Sequence, residues 1–113
     1  MKIESAEEND FLVKTFLTAS AGTYWIGLSD QEKEDEWIWT DGSLLVNYTN
    51  WGKNNPNNKN GNQNCAHIVK GTFKRTWEYK SVSWSYTKGY NAGEWNDLEC
   101  YAQLGYICEQ FFL

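Results

Sequence analysis

Histidine, proline and basic residues are scarce in this chain, and long apolar runs are missing from it. The one histidine, His67, has no Gly-x-Ser-x-Gly, His-Glu-x-x-His or phosphate-cradling glycine loop beside it, so no nucleophile is matched to a base. Glu94 and Asp97 could form a carboxylate pair for glycoside hydrolysis. Their spacing in a presumed loop does not imply the roughly 5 to 10 Å between carboxyls that this reaction needs, and the chain is read as a non-enzyme. Ten Lys and Arg are scattered against fifteen Asp and Glu, a net charge of -5, which argues against nucleic acid or an anionic membrane as partner. No run approaches the roughly 18 apolar residues of a membrane span, and the start resembles no signal peptide, so no membrane insertion is expected. The three cysteines, Cys65, Cys100 and Cys108, include no Cys-x-x-Cys pair. Their odd number predicts one disulfide and one leftover thiol, the alternative being three reduced, buried thiols.

What the chain does have is aromatic surface and amides. At 113 residues, with 41% hydrophobic and 17% aromatic content, residues 1–113 suit a single domain. Seven Trp and seven Tyr are too many large rings to bury completely, so some remain available for contact. From Asn50 to Cys65 the chain carries the only proline and no carboxylate, and it is dominated by asparagine and glycine. Such a stretch cannot bury apolar area and favours turns. Trp51 and Cys65 bound it, and both residue types usually anchor in a core or a disulfide, so an ordered binding loop is expected.

Ser5-Ala6-Glu7-Glu8 has the hydroxyl and carboxylate spacing of a capped helix start. Phe11, Leu12, Thr15, Phe16 and Ala19 recur at helical spacing and Gly22 supplies a stop, which predicts a helix from about Ala6 to Ala19. Tyr24–Leu28, Glu36–Thr40 and Ala66–Val69 read as strands, with Tyr106-Ile107-Cys108 as a short closing one. The charged run Gln31–Asp35 between the first two reads as a solvated turn. Val82-Ser83-Trp84-Ser85-Tyr86 alternates between an aromatic and a polar face, so the stretch from Val69 to Trp95 is expected to form a β-hairpin or strand pair. Asn47-Tyr48-Thr49 fits a glycosylation acceptor, which matters only in a secreted chain.

Trp25-Ile26-Gly27-Leu28, Trp37-x-Trp39-x-Asp41-Gly42, Asn50-Trp51, Asn55-Pro56-Asn57, Cys65-Ala66, Trp95-Asn96-Asp97, Cys100 and Ile107-Cys108-Glu109 occur in the order and rough spacing of a C-type lectin-like domain. The resemblance runs from Ile3 to Glu109. It implies an α+β fold with two small antiparallel sheets, one N-terminal helix retained here, and a long loop for calcium and sugar. It also implies a Cys65–Cys100 disulfide. The chain departs from the pattern at its front, where a strand and first helix usually precede, and Cys108 thereby lacks its usual partner. That would leave Cys108 buried or free to bridge a homodimer.

By the same resemblance, the metal ligands at the sugar site fall on Asn55, Asn57, Gln63, Asn96 and Asp97. Those of a second, structural calcium fall on Asp30, Glu34, Asn58 and Asn64. Several expected carboxylates are amides here. Calcium affinity rises with the number of charged oxygens, so weak binding near 10⁻³ M is expected if calcium binds at all. Two amides flanking a proline can meet adjacent hydroxyls of a sugar as donors or acceptors, and Asn55, Asn57, Asn96 and Asp97 are the expected sugar contacts. Having amides on both sides, they select neither a mannose-type nor a galactose-type sugar. Trp84, among the rings of residues 69–94, is a further candidate, although filling the core is its competing role. Two functions follow from the resemblance. One is an extracellular, calcium-assisted lectin for glycans on microbial or cell surfaces, and the other is a calcium-independent module that binds proteins or other surfaces.

Overall fold

The computed structural model describes residues 2–46, 48–58 and 61–106. Asn47 of the glycosylation pattern, Cys108 and most of the closing strand lie outside the described residues. Helix α1 spans Ala6–Phe16, with the Ser5 hydroxyl accepting from the Glu8 amide and the Glu8 carboxylate accepting from the Glu4 amide at 3.3 Å. The helix stops short of Ala19 because Leu17 turns into the core, 2% exposed, and Lys70 Nζ takes its carbonyl at 3.1 Å. The buried face also differs from the expected stripe. Phe11 is exposed, whereas Asn9 and Leu12 are buried. Asn9 joins the helix to the body, accepting from Trp95 Nε1 at 2.9 Å and donating to the Gly93 carbonyl at 2.9 Å.

Five strands follow: β1 Gly22–Ser29, β2 Ile38–Trp39, β3 Cys65–Tyr79, β4 Val82–Leu98 and β5 Gly105–Tyr106. Their order is β2-β1-β3-β4 with antiparallel neighbours, and β5 lies parallel to β1. The two expected small sheets therefore take the form of one sheet among the described residues, whose far end leaves the body as a two-stranded ribbon. The departure point is a register break between Val69 and Gly71, where Gly71 and Gly93 both have positive φ. A side chain at Gly71 would meet the Ser20 carbonyl at 2.7 Å, and one at Gly93 would meet Asn9 Nδ2 at 2.6 Å. Only glycine fits either position without displacing a neighbour.

Beyond the bend the ribbon folds back over the body. The Phe73 ring lies 4.8 Å from the His67 ring, and Trp77 Nε1 donates to Glu99, just past β4, at 2.6 Å. The core centres on Trp95, which is fully buried and met edge-on by Trp39, Tyr48 and Trp51. A second cluster of Trp25, Val69, Phe73, Tyr90 and Leu98 seals the ribbon to the sheet. Cys65 and Cys100 form a disulfide, as the resemblance implied. Among the described residues no helix is long and apolar enough to cross a membrane.

Candidate metal and ligand sites of the long loop

The loop begins as an extension of the sheet. Trp95 donates its amide to the Asn50 carbonyl at 2.8 Å and accepts from the Gly52 amide at 2.8 Å, so Trp51 bridges to Trp95 in parallel. Asn50 adds a side-chain bond to the Gly93 carbonyl at 2.7 Å. A turn closed by Asn55 N–H on the Gly52 carbonyl then leads to Asn55-Pro56, whose peptide bond is cis. The next two amides, of Asn57 and Asn58, both donate to the Asp97 carboxylate, at 3.0 and 2.5 Å. Asp97 is completely buried. Burial pushes its carboxyl above the usual range, and the two amide donors oppose that shift.

Neighbouring residues of a strand point to opposite faces, and this separates Asn96 from Asp97. Asn96 Nδ2 lies 2.8 Å from His67 Nε2, in the interior. On the other side of the ring, His67 Nδ1 is 2.5 Å from Thr23 Oγ1, and that hydroxyl donates to the Ile68 carbonyl at 2.9 Å. These partners fit a neutral imidazole carrying its proton on Nδ1. Burial lowers the His67 pKa to about 3, so the ring stays uncharged at ordinary pH.

Gln63 is drawn elsewhere again. Its Nε2 donates to Glu99 Oε2 at 2.6 Å. Glu99 Oε1 accepts from Arg75 Nε at 3.1 Å and Trp77 Nε1 at 2.6 Å. Burial pushes the Glu99 carboxyl up, but Gln63, Trp77 and the Arg75 charge outweigh it and hold the group below its usual value. Asn55 Nδ2 donates to the Tyr90 hydroxyl at 3.3 Å, while its Oδ1 is buried without a partner among the described residues. Trp84 stands on the ribbon, 44% exposed and stacked on Trp77 with 6.2 Å between ring centroids. Through Trp77, Glu99 and Gln63 a chain of contacts runs from it to the loop. The first donor set thus combines a carboxylate that accepts from two backbone amides with three side-chain amides whose nitrogens face Tyr90, His67 and Glu99, and Asn55 Oδ1 is the orphaned buried oxygen among them.

The second set is arranged differently. One carboxylate oxygen each of Asp30, Glu34 and Asp35 lie within 4.8 Å of one another. Asp30 is 2% exposed; its Oδ2 accepts from the Asp35 amide at 2.9 Å, and its Oδ1 is buried without a partner among the described residues. Asn64 Oδ1 is likewise buried and unpartnered, and the Asn64 carbonyl accepts from the Asp30 amide at 2.9 Å. Asn58 Nδ2 reaches Glu34 Oε1 at 3.2 Å. The hydrogen bond to Asp30 and the neighbouring Asp30 and Asp35 charges raise the Glu34 pKa, the direction that nearby like charge imposes. Two orphaned buried oxygens beside a crowded set of carboxylates fit a hard cation, which takes oxygen ligands of this kind. The sequence marks Tyr90 as one of the rings of residues 69–94 near the site, but gives Asp35 and Glu99 no individual role. Asp35 sits in a charged run that also suits a solvated turn. For Glu99 the only signal is proximity to Trp95-Asn96-Asp97.

With this geometry in place, the chain can be set beside known proteins. The lectin C-type domain model matches residues 1–110. A perlucin-like protein of Mytilus galloprovincialis is 35% identical over 112 residues, covering 96% of this chain and 58% of the relative. The alpha-N-acetylgalactosamine-specific lectin of Patiria pectinifera is 34% identical over 113 residues, covering 95% of this chain and 54% of the relative. Among solved structures, the mouse scavenger receptor C-type lectin carbohydrate-recognition domain superposes with a TM-score of 0.63 at 31% identity, covering 88% of this chain and 62% of that one. The chain spans somewhat more than half the length of these curated relatives.

Proposed function

The chain belongs to the lectin C-type domain family, and on that premise we propose that it binds glycans through the Asn55-Pro56-Asn57 loop, with calcium assisting from a separate position. The observation that carries this reading is the Asp97 carboxylate. By accepting from the Asn57 and Asn58 amides it holds the loop against β4. Asn55 and Asn57 are the proposed sugar-facing pair; the buried Asp97 holds them from beneath, and Asn96 supports the strand from the interior through His67. Amide side chains both donate and accept, which suits vicinal hydroxyls, and the relatives named as lectins support a saccharide as ligand.

Calcium belongs, in this reading, with Asp30, Glu34, Asp35, Asn58 and Asn64. The bound ion would neutralise the carboxylate cluster and satisfy the orphaned Asp30 and Asn64 oxygens, and since the Asn58 side chain joins Glu34 to the Gln63 amide, it would stiffen the loop rather than contact the sugar. The disulfide and the lectin relatives support an extracellular setting. The experiment is a glycan array run with calcium and with chelator. Weakened but persistent sugar signals under chelator are expected; complete loss under chelator would return the metal to the sugar site.

A protein-binding role has its own support in the exposed Tyr79, Val82 and Trp84 at the ribbon tip, since exposed aromatic clusters favour protein contact. Trp84→Ala separates the two roles, because under the glycan reading it leaves array signals in place.

A further inference from the structure

Between the loop and the bend of the ribbon lies a hollow of about 400 Å³ lined by Lys53, Thr72, Lys88, Tyr90, Asn91 and Glu94, among others. We propose that it is a subsite for an acidic sugar unit, a uronate or a sulfated residue, next to the glycan-binding loop; the proposal rests on the glycan reading above. The volume falls within the roughly 300–1,000 Å³ of ordinary small-ligand sites.

Charge carries the argument. Lys2, Lys14, Lys33 and Arg75 are each paired with a carboxylate. Among the described residues, Lys53, Lys70, Lys74, Lys80 and Lys88 have no such pairing, although the chain is acidic, at -5, and of these five Lys53 and Lys88 meet in this one lining. The loop supplying Lys53 has no carboxylate of its own from Asn50 to Cys65, so the cations on this rim face no internal competitor from the loop. Glu94 is the one acid in the lining, and its Oε1 is occupied by the Asn91 amide at 2.6 Å. The lining therefore carries one net positive charge.

The second part of the argument is preorganisation. Lys88 Nζ donates to the Lys53 carbonyl and sits 4.9 Å from the Tyr90 ring centroid, which holds an otherwise flexible side chain in place. An ammonium has three N–H donors, so Lys88 keeps donors for a ligand anion after this bond. Tyr90 also offers its hydroxyl to Asn55 Nδ2 at 3.3 Å. One aromatic residue thus borders both the hollow and the loop's proposed sugar contact, and a saccharide of two or more units could occupy both.

Calorimetry on the folded chain can test this with glucuronic acid against glucose, and with 4-sulfated against unmodified N-acetylgalactosamine, at low and high salt. The acidic member of each pair is expected to bind about tenfold tighter at low salt, an advantage that shrinks as salt screens it. Lys53→Gln should lower the acidic-to-neutral affinity ratio about threefold, and Glu94→Gln should raise it. Lys88→Met should lower the ratio as well, but it also removes a loop contact, so its melting temperature is recorded alongside. Equal binding of acidic and neutral members, or an unchanged ratio in Lys53→Gln, overturns the subsite while leaving the glycan reading intact. If no saccharide in either class binds a chain that melts cooperatively, both readings fall.

Discussion

The two ends of the long loop solve the same electrostatic problem in opposite ways. At one end the buried Asp97 carboxylate is satisfied by the Asn57 and Asn58 amides of the chain itself. At the other, Asp30 keeps a buried oxygen without a partner among the described residues, beside Glu34 and Asp35, where like charges repel. A carboxylate near a loop therefore says little about metal binding until its partners are known. One end matches its charge with backbone amides of the chain itself, and the other leaves its carboxylates crowded together.

The largest expected effect comes from removing the internal match. Asp97→Ala leaves two backbone amides of the loop without their acceptor and should cost about 3 kcal/mol of stability, measured by denaturant unfolding, with loss of sugar signals. A cost below about 1 kcal/mol would mean that the loop is held by something else. Next is the interior support of that end. The folded pKa of His67 is lowered to about 3, so the unfolded chain binds the extra proton, and stability is lost as pH falls from the ordinary histidine value toward that one. Between pH 6 and 4 the loss should be roughly 2 kcal/mol. The difference from a His67→Gln variant isolates it, and parallel pH profiles of the two would remove His67 as the cause.

The third prediction concerns the other end. Calcium at ten times its dissociation constant should stabilise the chain by about 1.4 kcal/mol, read as a shift in melting temperature. Asp30→Asn should abolish that shift, whereas Asp97→Asn should leave a shift in place; the reverse pattern would exchange the roles of the two ends. The smallest effect is expected at the ribbon tip, where Trp84→Ala forfeits a half-exposed stack on Trp77 and should cost about 1 kcal/mol or less. A larger loss would place Trp84 among the core residues.

Local chemistry made some of this architecture legible in the sequence. Ser5 and Glu8 mark the helix start because a cap is a matter of residue type and spacing. Val82 to Tyr86 announces a strand by alternation, and Asn50 to Cys65 announces a loop by composition. The helix end was less legible, since it depends on Lys70, distant in sequence, taking the Leu17 carbonyl. At the candidate site, the spacing identified Asn96 and Asp97 as neighbours. That the two diverge, one toward His67 and the other toward the loop amides, follows from the pleat of β4 and from what lies on each face. The Glu99 contacts with Gln63, Arg75 and Trp77 arise because the ribbon folds back at Gly71 and Gly93. No pattern within the ribbon itself encodes that fold-back.

The bridge from Trp51 to Trp95 also bears on colloidal behaviour. It caps the outer rim of β4 where that strand crosses the body, but Val82–Tyr90, beyond the bend, pairs with β3 alone in the sheet order. Uncapped rims invite strand addition by neighbouring molecules, and lysine is a common deterrent to it. Lys74 and Lys88 stand on the two strands of this ribbon and Lys80 in its turn, placing positive charge where a strand from a neighbouring molecule would have to add.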